Sequence, residues 1–308
     1  MINFKYHIVS LMAVFIALSV GIAVGVSLGP SVDQGLLRQA EQDRKQVAEL
    51  RAELNRRNAL DDYREAYEEQ TGEPLIQGAL NGVRVAVVAM PDAPGRVVTD
   101  ITAAVAGAGG SVVREVQVRP SAFDPAKAEE ATAALASFAD QVPLDGEMTQ
   151  AEKIGTALAR SIASPQVEDR DQLALDLGNA LTGAGFVAIN GGSAAQAQLV
   201  LVVGAEASDP PLTGSVLLSH VEFDVALKTR AGVVLAGPNS AQIEGTDVLA
   251  VRTDPQGDNL LSTVDVADLR SGVITVVLAG QEQLLGREGR HYGALARAEA
   301  PLPKLPIR

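Results

Sequence analysis

VRVAVVAMPDAPGRVVTDITAAVAGAGGSVVREVQV, residues 83–118, is the stretch on which the reading of the fold turns. Residues 83–90 are a near-continuous apolar run rich in valine, too short for a free-standing helix, and read as a buried strand. Residues 96–108 read as a helix, with Gly107, Gly109 and Gly110 in the usual helix-closing role. Residues 111–118 read as a second strand. Two strands joined by a helix pair in parallel, because a tight hairpin cannot connect them.

The same alternation continues toward the C-terminus. Helical stretches are predicted near 125–139, 149–163 and 169–184, then a strand at 198–204 (QLVLVVG). A helix over 216–229, a short strand at 233–237, a helix over 241–252 and a last strand at 273–280 (VITVVLAG) follow. Apolar strands separated by helices predict an α/β domain over 80–296: three layers, Rossmann-like, around a mostly parallel sheet. A helical insertion is expected between Asp124 and Ala184. Residues 297–308 carry three prolines and read as a flexible tail.

Upstream, residues 8–28 (IVSLMAVFIALSVGIAVGVSL) hold no ionisable group. At 1.5 Å per residue they reach about 31 Å, the thickness of a hydrocarbon core. Lys5 and His7 precede the run and Asp33 is the first charge after it. The positive-inside rule then puts residue 1 in the cytoplasm and the bulk of the chain outside it. A cleaved signal peptide would have a shorter apolar run and a small-x-small site. Residues 1–30 are therefore read as an uncleaved transmembrane anchor. Ala17, Gly21, Gly25 and Gly29 recur every four residues, a spacing that lets two membrane helices approach closely. Glycine and alanine are also simply common in such helices.

Residues 31–73 change character. Charges of both signs interleave, and neither Gly nor Pro occurs from 36 to 70. Leu36, Ala40, Val47, Leu50 and Leu54 fall at alternating four- and three-residue steps, a heptad seam interrupted at Asp43. So polar a helix gains little stability alone, so a coiled-coil stalk with a partner helix is expected, ending at Gly72 and Pro74.

Composition narrows the chemistry. The net charge of −13 opposes nucleic acid and anionic lipid headgroups. With no cysteine, disulfides, thiolate metal sites and cysteine nucleophiles are excluded. The loop Met90-Pro91-Asp92-Ala93-Pro94-Gly95 lacks the glycine fingerprint of a dinucleotide site, and no P-loop occurs. His7, His220 and His291 lie far apart. If the segment around His220 is helical, Asp224 shares its face; if extended, Glu222 does. No G-x-S-x-G marks a nucleophile. Met1, Met12, Met90 and Met148 are not clustered, so no copper site is expected within one chain. The run of strands is unlike the alternating ten-residue segments of a membrane β-barrel. The chain reads as non-enzymatic, without a cofactor.

Three local motifs carry a resemblance. They are Met1-Ile2-Asn3-Phe4-Lys5-Tyr6-His7 leading into the apolar run, Leu261-Ser262-Thr263-Val264-Asp265, and Arg290-His291-Tyr292-Gly293. In this order the chain resembles the actinobacterial envelope family of MctB copper transport proteins, whose corynebacterial members are called SteB. In that family the middle motif runs on with an asparagine; here Val266 follows. The resemblance implies two functional expectations. One is an envelope adaptor, partnered by a SteA-like membrane protein, that recruits or activates a secreted RipA-type peptidoglycan endopeptidase through that enzyme's coiled coil in cell separation. The other is copper export or homeostasis. The lone anchor, the seam and the acidic head favour the first, with a homodimer as the expected assembly.

Overall fold

The computed structural model describes residues 4–238, 244–286, 288–295 and 297–305; the side chains at 4–5 and 28–37 lie outside that description. The chain divides into two units, Met1–Glu65 and Ala66–Arg308.

The first unit is helical. Its described residues belong to α1, Phe4–Ile76, which runs through Gly29–Pro30 and past Gly72–Pro74 without a break. The span long and apolar enough to cross a membrane is Tyr6–Ser27. Its large side chains, Leu11 and Phe15 among them, are about 60% exposed, as lipid-facing groups would be. Ser19 and Ser27 donate their hydroxyls to the carbonyls of Phe15 and Val24, so neither is left unpaired in hydrocarbon. Beyond the span, Arg57–Glu53 and Arg64–Asp61 are exposed pairs along one helix face.

The second unit is the α/β head. Its elements in chain order are β1 (Arg84–Ala89), α2 (Gly95–Gly107), β2 (Ser111–Val118), α3 (Ala128–Leu135), α4 (Gln150–Ile162), α5 (Gln172–Gly183), β3 (Val187–Asn190) and β4 (Leu199–Val203). There follow α6 (Gly214–Leu227), β5 (Gly232–Ala236), α7 (Asp247–Thr253), α8 (Pro255–Leu260), β6 (Ser262–Val264), α9 (Arg270–Leu284) and β7 (His291–Tyr292). The sheet order is β3-β2-β1-β4-β5-β6-β7, and only β3 is antiparallel. Strand order reverses between β1 and β4, the switch point of a doubly wound sheet.

Alternation along the central strands builds two cores. Val85, Val87, Leu199, Leu201 and Val203 face α2 and α9. Ala86, Val88, Val200 and Val202 face the layer that contains Ile154 and Leu158 of α4 and Leu177 of α5. Both strand faces are dry, which is why these strands read as unbroken apolar runs. The fold class expected from the sequence is the one observed.

Several elements differ from the sequence reading. Residues 273–280 are not a strand but the middle of α9. Gly272 to Gly280 are all buried, so no polar face marks the helical period, and a short apolar run cannot be told from a strand by periodicity. The closing strands are instead β6 and β7, of three and two residues, too short to carry an alternating pattern. The antiparallel edge strand β3 was also not anticipated. The helices between Asp124 and Ala184 form no separate insertion; they cover one face of the sheet. Of the helix expected over 241–252, residues 241–243 lie outside the described residues, and α7 starts at Asp247. The segment after β7 packs back: Tyr292 bridges Ala300, and Ala300 and Leu302 rest on the core.

The end of α1 is part of the head. Glu68 accepts a 2.9 Å hydrogen bond from the N–H of Ser271, in the first turn of α9. Leu269, at the N-cap, offers no side-chain bond, so a glutamate from another helix satisfies this orphan donor. Arg270 and Glu69 add an exposed ion pair at 3.7 Å.

Candidate functional site

The C-terminal ends of the parallel strands are where a doubly wound sheet places ligands. Here that rim is filled. Among the described residues, the cavity lined by Gly204, Gly237, Thr246, Asp247, Asp265 and Leu295 holds about 10 Å³, at the lower limit for one water. A ligand pocket takes roughly 300–1,000 Å³.

A knot of polar side chains closes the rim. Arg252 of α7 is fully buried. Its Nη1 donates to Asp265 at 2.8 Å, its Nη2 to the carbonyl of Tyr292 at 2.9 Å, and its Nε to Thr263 Oγ1 at 2.8 Å. Asp265 also accepts from the N–H groups of Ala294 (2.9 Å) and Leu295 (3.2 Å). A Cβ at Gly293 would collide with the Asp265 carboxylate, and its φ of 133° suits only glycine. Burial draws the Arg252 guanidinium below its ordinary value, and Asp265 opposes that shift. Removing either partner of this pair would strand a buried polar group.

His291 extends the knot. Its Nδ1 lies 3.0 Å from Thr263 Oγ1 and its Nε2 lies 2.9 Å from Asp258. Thr263 Oγ1 accepts from Arg252, so its own proton is directed to Nδ1, and Nε2–H donates to Asp258. Burial lowers the imidazole pKa more than Asp258 raises it, which fits this neutral tautomer. The Tyr292 hydroxyl donates to Glu282 of α9; burial, then that carboxylate, push the phenol up. The two motifs at 261–265 and 290–293 are therefore neighbouring strands joined by one network. Val266 packs into the core, a place with no use for a polar side chain. Arg252 is the residue that sequence reading missed. Nothing local marks it, because its partners lie 11, 13 and 40 residues further on.

A second buried group lies on α6. The segment around His220 is helical, so Asp224 shares its face, yet His220 pairs elsewhere. Its Nδ1 lies 2.7 Å from Asp247, whose other oxygen accepts from the N–H of Ala205 at 3.1 Å. The ring packs on Phe123, with centroids 4.2 Å apart. Asp224 is fully buried and neither carboxyl oxygen has a partner among the described residues. Burial, then the neighbouring Asp247, raise its pKa well above the ordinary carboxyl value. Among the described residues no three His, Cys, Asp or Glu side chains are grouped to hold a metal ion. Met90 is buried in the core next to the sheet.

The residues expected to meet a partner helix lie on α1. Val47, Leu50 and Leu54 are 45–57% exposed, and Ala40 is exposed. Gly21 and Gly25 have open space beside them, and Ala17 is exposed on the same unbroken helix. The side chains at Gly29 and Leu36 lie outside the described residues. Gly21 and Leu50 are about eight helical turns apart, as are Gly25 and Leu54, so the small-residue face and the seam fall on one side of α1.

Comparisons with known proteins show the family. The family model described as "Copper transport outer membrane protein, MctB" matches residues 1–303. The proteins named Copper transporter MctB from Mycobacterium bovis and Mycobacterium tuberculosis are each 28% identical over 323 aligned positions. The match spans 95% of this chain and 96% of theirs. An apolar N-terminal helix, a polar continuation of it and a mostly parallel α/β head thus stand in a chain that belongs to the MctB family of copper transport envelope proteins.

Proposed function

We propose that this membrane-anchored protein serves copper homeostasis at the cell envelope, as an accessory held at the membrane beside the path that moves the metal. Membership of the MctB family over residues 1–303 carries the reading. The protein's own contribution comes from surfaces rather than from soft ligands. His291 gives both ring nitrogens to Thr263 and Asp258, and His220 gives one to Asp247. Copper would have to displace these bonds in a buried environment, so it passes as cargo handled elsewhere.

A second reading, the adaptor for a septal hydrolase, rests on one observation. The seam of α1 at Val47, Leu50 and Leu54 is exposed on a helix whose polarity leaves it little intrinsic stability. A SteA-like membrane partner or the coiled coil of a RipA-type endopeptidase would cover it. Neither the family model nor the relatives' names speak for this role, which is why copper homeostasis comes first.

One deletion strain separates the two. Copper hypersensitivity with normally separating cells is the expected result. Chained, unseparated cells at ordinary copper, with unchanged copper tolerance, would move the adaptor to first place.

A further inference from the structure

Two arginines in the head carry charge that no described carboxylate answers. Arg114, on β2, is 1% exposed. Its Nη1 donates to the carbonyls of Val113 (2.6 Å) and Gly191 (3.3 Å), and its Nη2 to that of Ser193. Arg170, before α5, donates through Nη2 to the carbonyl of Ala174 (3.1 Å) and to Ser161 Oγ (3.4 Å). In both side chains Nε is buried and has no partner among the described residues. Neither is ion-paired with a described carboxylate. Three other arginines of the head behave differently: Arg84, Arg160 and Arg252 sit 3.5, 2.5 and 2.8 Å from Asp169, Asp171 and Asp265.

The two groups are neighbours. Burial lowers both pKa values, and Arg170 lowers that of Arg114 further. Space is kept for them: a Cβ at Gly178 would stand 2.9 Å from Arg170 Nη2 and 2.7 Å from Ser161 Oγ. The adjoining stretches 165–169 and 191–194 (Gly-Gly-Ser-Ala) are exposed, and Arg170 is itself half-buried, so solvent lies close to the pair. The pair lies at the end of β3, on the opposite rim of the sheet from the Arg252 knot.

We propose that Arg114 and Arg170 form a receptor for a phosphate group. Two like charges buried together, each with a free N–H, are costly alone and complementary to a doubly charged oxyanion. A guanidinium presents donors in a fixed fork, and two forks suit the several oxygens of a phosphate better than the two of a carboxylate.

The test uses the full chain in detergent micelles and follows thermal unfolding. Inorganic phosphate is titrated against sodium chloride at matched ionic strength. A ligand that binds only the folded state raises the unfolding temperature saturably. Phosphate should do so, and Arg170→Gln should weaken its apparent affinity at least tenfold. Without phosphate that variant should unfold at or above the wild-type temperature, because a like charge has gone. Arg96→Gln, on the exposed face of α2, should leave the phosphate response unchanged. No saturable effect beyond chloride, or wild-type affinity in Arg170→Gln, overturns the proposal. A response to acetate as strong as that to phosphate overturns the phosphate assignment.

Discussion

Asp224 shows how much one atom's surroundings decide. A carboxyl group with two unpartnered oxygens beside the Asp247 carboxylate avoids charge by keeping its proton. Its folded pKa is raised, so the folded state holds a proton that the unfolded chain has released above its ordinary value. The stability linked to this group is complete below the unfolded pKa of 3.8 and is lost as pH rises toward the folded pKa. The slope is up to about 1.4 kcal/mol per pH unit in that window. Asp224→Asn, a neutral isostere, should flatten the dependence. Its unfolding temperature should match wild type near pH 4 and exceed it increasingly toward pH 8. Parallel melting curves across that range would show that Asp224 finds an unexpected partner. The face shared by His220 and Asp224 was legible from their four-residue spacing. That His220 would pair instead with Asp247, 27 residues away, was not, because the placement of α7 depends on the packing of the whole head.

At the scale of elements, α1 and α9 pose opposite problems. The stalk advertises its period because charged residues surround a thin apolar seam, so the helix was legible to within a few residues. Helix α9 hides its period because nearly every side is buried. It was read as a strand for the same reason that it is the main cover of one sheet face. The stalk supplies a second test. Leu50→Asp with Leu54→Asp should abolish association through the seam, whether with a second copy or with a partner helix. Each leucine moved from water to an interface contributes roughly 1.5–3 kcal/mol. The double variant should lose about 10²–10⁴ in the association constant. Analytical ultracentrifugation of the full chain in micelles measures this, and an unchanged sedimentation profile would make the stalk a spacer. The head should remain folded in either case, because Leu50 and Leu54 lie in the first unit and contribute nothing to its two cores.

For the molecule as a whole, the residues flanking the span set which side of the membrane the head faces. Lys5 and His7 before the span, with no charged residue after it until Asp33, favour export of the C-terminal side. Alkaline phosphatase fused after Arg308 should be active, and a fluorescent reporter that matures only in the cytoplasm should stay dark. The reverse pattern would invert the topology. Layer order and sheet class were readable at this scale because the long central strands are apolar throughout. The outer strands were not, since β3, β6 and β7 have four, three and two residues and draw their identity from neighbours.

Those short outer strands have a consequence for life at a crowded surface. Proteins anchored in one plane meet repeatedly in similar orientations, and an unpaired strand is a template on which the next copy extends the sheet. Here one border is two residues long and is strapped by the segment around Glu299 and Ala300, which bonds to His291 and Gly293. The other is a four-residue antiparallel strand that runs straight into Gly191 and Gly192. Neither offers a length of backbone on which a fibril could grow. Encounters between neighbouring heads are left to side chains, where they can be brief and reversible.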